Sequence, residues 1–300
     1  MREAEFIATL RPFATHPAAR SLADDAAVLG DLVLTHDMIA EGVHFLADAD
    51  PRDVAWRLVA VNLSDLAAKG AEPVGVLLGY ALGDGRWDFE FVEGLGEALA
   101  AFDVALLGGD TLRPATAAPR TLGLTAIGRV PASGAPSRAG SRAGDTLWVT
   151  GVIGDAGAGL ELAMARAREP ASLLEAYQRP RPLLADGRVL APLVHAMMDV
   201  SDGLLIDASR MATASGLAVE IDLGAVPLSD AYRAFRGDDR AARVAAATAG
   251  DDYQLLFALD PDLTPPVAAT LVGRFADGAG VTLIHGGTPI PLPAKLGFEH

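Results

Sequence analysis

A chain of 300 residues that is 51% hydrophobic can bury a large core, and the length suits one large domain or two ordinary ones. Its 24 Lys+Arg against 39 Asp+Glu give a formal net charge of −15, a surface that repels nucleic acid and anionic membrane and admits phosphorylated substrates only with metal ions or local arginines. With no cysteine, disulfides, thiolate zinc sites and thiol catalysis are excluded, and because no apolar signal region or membrane-length run is present, a soluble cytoplasmic protein is expected.

Phe6, Ile7, Leu10 and Phe13 stand at helical spacing and predict a short helix within 5–20. The polar turn Ser21-Leu22-Ala23-Asp24-Asp25 follows, then two brief apolar runs around Gly30 that read as a strand hairpin running into Thr35-His36-Asp37. Residues 53–69 read as one helix, with Asp53 suited to the N-cap and Gly70 to the C-terminal cap. Val54, Leu58, Val61 and Asp65 share a face of it, so an apolar face carries a carboxylate. If buried, that carboxylate needs a partner, and the plain alternative is a salt bridge or a wet helix end.

Strands are predicted over 74–82, over 104–107 before Gly108-Gly109-Asp110-Thr111, and over 121–130, with a helix over 89–102. Pro131 to Gly144 is a linker by composition. A second series has strands over 146–150, 197–200, 219–223, 253–259 and 281–284, and helices around 160–164, 173–178, 185–193, from Ser201-Asp202-Gly203 to Gly216, and 241–249. The alternation implies an α/β or α+β fold in two domains, 1–137 and 138–300.

Asp37, Asp65, Asp110, Asp199 and Asp202 each follow an apolar run, and Asp24 and Asp25 precede a strand. Each alone is more often a cap or turn residue, but together they suggest a shared site. Oxygen ligands without Cys or a paired-His motif favour Mg²⁺, which commonly bridges to substrate phosphates. No G-x-x-x-x-G-K-[ST] loop is present, and the glycines from Gly151 to Gly159 do not have dinucleotide spacing. Arg138 and Arg142 suit a phosphate clamp or a solvated loop equally, and His44 lies near the Asp37 segment.

Thr35-His36-Asp37 with Glu41-Gly42-Val43-His44-Phe45, Asn62-Leu63-Ser64-Asp65-Leu66-Ala67-Ala68, Gly108-Gly109-Asp110-Thr111, Asp199-Val200-Ser201-Asp202-Gly203 and Gly250-Asp251-Asp252-Tyr253 come in an order that resembles the thiamine-monophosphate kinase family, from about Asp24 to Phe298. The resemblance implies ATP-dependent phosphorylation of thiamine phosphate with several Mg²⁺ ions. It implies metal contacts from Asp24, Thr35, His36, Asp37, Asp65, Asp110, Asp199 and Asp202. It assigns ATP contacts to Gly109, Asp110, Arg138 and Ser201, and thiamine phosphate contacts to His44, Asp251 and Phe298. It further implies an aminoimidazole ribonucleotide synthetase-like fold, an N-terminal sheet paired across a homodimer and a C-terminal α/β domain. Three departures stand out: Ser21-Leu22-Ala23 where a glycine-containing turn is usual, His36 where Ser or Thr is usual, and Asp251 in place of Glu.

A phosphate acceptor is already anionic, so no general base, catalytic histidine or phosphoenzyme is expected and transfer should be direct and in line. The competing readings are a sister ATP-dependent synthetase or maturation enzyme and a non-catalytic acidic metal-binding protein. Nucleotide turnover separates them, since a binding protein gives none and a sister enzyme needs its own acceptor.

Overall fold

The computed structural model describes residues 3–115 and 118–299, folded into a mixed α/β structure built on two sheets. In chain order the strands of the first sheet are β1 (Ala27–Leu29), β2 (Leu32–Ala40), β3 (Glu72–Ala81), β4 (Leu106–Leu112) and β5 (Thr121–Arg129). They lie in the order β1-β2-β5-β3-β4, antiparallel except for the parallel β3–β4 pair. Helix α1 (Glu3–Leu10) precedes them, α2 (Pro51–Ala68) joins β2 to β3, and α3 (Gly85–Phe102) joins β3 to β4. The N-terminal apolar residues do not form a core face: Phe6 is 54% and Phe13 81% exposed.

The second sheet uses β6 (Thr146–Thr150), β7 (Ala196–Asp199), β8 (Ala218–Asp222), β9 (Leu255–Leu259), β10 (Ala269–Ala276), β11 (Gly280–His285) and β12 (Thr288–Ile290), in the order β12-β11-β8-β10-β6-β9-β7. Around it lie α4 (Asp155–Met164), α5 (Ala171–Gln178), α6 (Leu184–Leu190), α7 (Leu204–Ser215), α8 (Asp230–Arg236) and α9 (Arg240–Thr248). Strand β10, between β8 and β6, was not predicted. No helix among the described residues is long and apolar enough to cross a membrane.

Helix α2 positions the site. It begins earlier than its sequence suggested, because Asp50, not Asp53, is the N-cap and accepts a hydrogen bond from the Arg52 amide. Pro51 then fills the first turn, where its missing N–H costs nothing. At the other end Gly70 has φ +60°, the left-handed turn that ends a helix, and an added Cβ there would meet the Ala191 Cβ at 2.4 Å. The single apolar face proves too modest a description: Val54 through Ala68 are buried without exception. Such a helix is packed on all sides, here between the first sheet, α3, α6 and β7. Polar side chains on it are therefore obliged to find partners inside the protein.

Candidate active site

The polar residues of α2 find those partners in both halves of the chain. Asn62 Oδ1 accepts the Asp37 amide at 2.9 Å while its Nδ2 donates to the Leu58 carbonyl, which locks β2 against the helix. Ser64 Oγ donates to Asp199 Oδ2 at 2.5 Å, reaching the end of β7 in the second sheet. Thr35 Oγ1 donates to Asp65 Oδ2 across from β2. These bonds draw carboxylates that are far apart in sequence to one point. Oxygens of Asp25, Asp65 and Asp199 all lie within 4.8 Å of one another.

The electrostatics of that point are divided. Burial, reinforced by the charges of Asp37, Asp199 and Asp25, pushes the Asp65 carboxyl well above the usual range. Burial and the neighbouring aspartates push Asp199 up to about 8 and Asp37 up to about 6. Asp24 and Asp25 go the other way. Burial raises them too, but the Lys69 ammonium, together with Arg138 at Asp25, outweighs it and holds both below the usual range.

This fits a hard divalent cation. Three converging carboxylates, desolvated and mutually repelling, form a donor set whose destabilisation a bound cation would remove. The resemblance implied Asp24 as a ligand, and the oxygen that converges with those of Asp65 and Asp199 belongs to its neighbour Asp25. Asp24 Oδ1 accepts Lys69 Nζ at 2.5 Å, and Oδ2 accepts Arg20 Nη1 at 2.6 Å and Ser137 Oγ at 2.7 Å, while Asp25 Oδ2 accepts Lys69 Nζ at 2.6 Å and Oδ1 accepts Arg138, so position and not free oxygens separates the two. Asp25, noted beside Asp24 in the sequence but not among the residues that the resemblance gives to metal, is the one in the cluster. In the turn before the pair, Arg20, Ser21 and Leu22 all have positive φ.

The other expected residues are placed as follows. His36 is exposed on the opposite face of β2, its ring bonded to Thr125 Oγ1 at 2.9 Å, so its side chain turns away from Asp37. Asp202 pairs with Arg210 beside the cluster. Arg138 donates to Asp25, which ties the linker to the site. Ser201 belongs to a loop that an unpredicted residue, Asp207, holds by accepting the amides of Ser201, Asp202 and Gly203 at 3.1–3.2 Å. The same loop gathers the substrate candidates: the Ser201 carbonyl accepts the Asp251 amide, and the Asp202 carbonyl accepts the Phe298 amide at 2.9 Å. Asp251, at φ +70°, is ion-paired with the buried Arg57 at 2.5 Å, a partner the sequence did not suggest. His44 Nδ1 accepts the Ala40 amide at 3.1 Å, which puts the ring proton of the neutral form on Nε2.

Asp110 and Gly109 lie elsewhere. Rather than following a strand, Gly108-Gly109-Asp110-Thr111 is part of β4, the exposed edge of the first sheet. An added Cβ at Gly109 would stand 2.0 Å from the Leu78 carbonyl oxygen, so only glycine lets β4 pair there. The register aligns Asp110 with Gly79, Gly123 and Met38. Met38 faces outward and Asp37 inward, so Asp110 is on the outer face of the sheet, and three strand spacings separate it from β2, about 14 Å.

The chain resembles known proteins along most of its length. The AIR synthase related protein N-terminal domain family matches residues 23–130, and the corresponding C-terminal domain family matches residues 142–263. A thiamine-monophosphate kinase of Caulobacter vibrioides is 37% identical, the match covering 97% of this chain and 88% of the relative. One from Escherichia coli K12 is 35% identical, covering 93% and 91%. Among solved structures, AaThiL complexed with AMPPCP and TMP superposes with a TM-score of 0.87 at 28% identity, over 100% of this chain and 97% of that one. With relatives of this identity running almost end to end, and both domain families matched in order, the chain belongs to the thiamine-monophosphate kinase family.

Proposed function

We propose that the protein transfers the γ-phosphoryl group of ATP to thiamine phosphate, giving thiamine diphosphate and ADP. The observation that carries this reading is the meeting of Asp25 and Asp65, from the first half of the chain, with Asp199, from the second, at a buried point that requires positive charge. Family membership supplies the substrates, since the similar AaThiL structure holds an ATP analogue and TMP.

In this reading a bond forms between an oxygen of the acceptor phosphate and the γ-phosphorus as the bond from that phosphorus to ADP breaks. The acceptor oxygen is anionic at neutral pH, so no side chain has to remove a proton and no histidine is needed as base. Asp25, Asp37, Asp65 and Asp199 would hold Mg²⁺, with Thr35 and Ser64 fixing the orientation of two of these carboxylates. Bound there, the cation would neutralise charge between the two phosphate groups. Arg138 and Ser201 are assigned to ATP, and Gly109, on β4 beside Asp110, to the ATP of a partner's site. His44, Asp251 and Phe298 are assigned to thiamine phosphate, with Arg57 holding the Asp251 carboxylate in place. Incubation with ATP and Mg²⁺ should convert thiamine phosphate to thiamine diphosphate with one ADP per product. Free thiamine, whose hydroxyl has to lose a proton, should react at least ~10²-fold more slowly. Equal rates on both acceptors would overturn the reading.

The homodimer expected from the resemblance belongs to the same proposal. The outer face of the first sheet exposes Met38 (54%), Leu77 (37%) and Leu112 (58%), apolar area suited to a second copy. Asp110 stands on that face and not with its own chain's cluster, so in the proposed dimer it serves the partner's site. Mixing two inactive variants tests this. In a heterodimer of Asp65→Asn with Asp110→Asn, one site carries both defects and the other none. With random pairing, about one quarter of wild-type activity should return, from half the dimers with one of two sites intact. No recovery from verified heterodimers would place Asp110 in its own chain's site or outside any.

A further inference from the structure

Lys69 is among the largest side chains buried completely, with no exposed surface at all. Its ammonium donates to Asp24 Oδ1 at 2.5 Å, to Asp25 Oδ2 at 2.6 Å and to the Met197 carbonyl at 3.3 Å, so its three N–H groups are all used. A compact, strongly hydrated cation is costly to bury, and a lysine survives there only where oxygens replace its water. Lys69 has found the environment that a small metal ion finds.

The cations are unevenly shared. Arg20, Lys69 and Arg138 contact Asp24 or Asp25. Among the described residues, no ion pair reaches Asp37, Asp65 or Asp199 from a side-chain cation.

We propose that the Lys69 ammonium is a tethered cation that replaces one divalent ion between Asp24 and Asp25, so that ions from solution enter only on the side that Asp25 shares with Asp37, Asp65 and Asp199. This rests on the reading of the cluster as a divalent-cation site. It makes Lys69 a positioning residue: it keeps Asp25 ionised and turned toward Asp65 and Asp199 before any metal arrives. It also follows that the protein binds fewer ions than its carboxylates would suggest, and that half of the cluster is held together in their absence.

The test counts ions. Mn²⁺ binding to the full chain, with the ATP analogue AMPPCP present, is measured by equilibrium dialysis for wild type, K69M and K69R. K69M should bind one more Mn²⁺ per chain than wild type, and K69R, which keeps the charge, should bind the wild-type number. In EDTA the melting temperature of K69M should fall by on the order of 10 °C, as expected for an unpaired buried charge, and Mg²⁺ should restore most of that loss. Equal Mn²⁺ counts in K69M and wild type would overturn the inference, as would an extra ion in K69R. If K69M cannot be folded even in Mg²⁺, the ion does not substitute for the lysine and the inference again fails. Wild type that binds no Mn²⁺ would instead remove the divalent-site reading on which the inference depends.

Discussion

Replacing Asp65 with Asn is expected to lower phosphoryl transfer by at least ~10³-fold and, in the same protein, to raise the melting temperature measured in EDTA. The two effects have one cause. Asp65 is buried beside Asp37, Asp199 and Asp25, so its negative charge destabilises the fold until a cation offsets it. The amide is nearly the same shape and can still accept the Thr35 hydroxyl with its oxygen. Removing the charge therefore relieves repulsion and leaves the packing of α2 intact, while the cation loses a ligand. The stabilisation that Mg²⁺ gives to wild type should shrink in the variant. Turnover within tenfold of wild type, or a variant that melts lower in EDTA, would mean that Asp65 is held by structural bonds and has no part in the chemistry.

Stripping the metal should make the folded protein sensitive to pH in an unusual direction. Asp37 at about 6 and Asp199 at about 8 are raised in the folded state, so folding takes up protons between the ordinary carboxylate range and those values. Stability contributed by such groups is present at low pH and is lost as pH rises through about 6 and then about 8. Asp24 and Asp25, lowered by Lys69, contribute stability that is lost only under more acidic conditions and stays constant in this window. In EDTA the melting temperature should therefore fall by about 10 °C from pH 5 to pH 8.5, at roughly 1.4 kcal/mol per pH unit for each carboxyl that has to give up its proton. Excess Mg²⁺ should flatten the curve, since it binds the ionised form. A curve in EDTA that rises or stays level over this range would show that the cluster has cationic partners other than metal.

Much of this arrangement can be read from the chain, and the places where reading fails are physical. The α/β alternation, the linker before β6 and the meeting of Asp65 with Asp199 follow from apolar runs and the residues that end them. Strand β10 escaped because Gly273 and Arg274 interrupt its apolar pattern at a register shift. Asp24 and Asp25 could not be separated by sequence, because they follow an irregular turn in which Arg20, Ser21 and Leu22 have positive φ, and no strand alternation applies there. Lys69 entered the sequence reading only as the last residue of a helix, and the packing of α2 against β7 shows it buried. The face taken by Asp110 depends on the pairing of β4 with β3, a long-range register that no local pattern contains. Asp207 and Arg57 act through other residues, and nothing in their immediate neighbours marks them.

The claim at the centre is that Asp25, Asp65 and Asp199 together form one cation seat for the kinase reaction, and anomalous scattering from Mn²⁺ in crystals grown with AMPPCP and thiamine phosphate tests it most directly. The account predicts a strong peak within about 2.0–2.3 Å of oxygens from all three carboxylates, and none between Asp24 and Asp25, where Lys69 sits. Peaks confined to Asp24, or ions held by nucleotide alone with these three carboxylates uncoordinated, would contradict it.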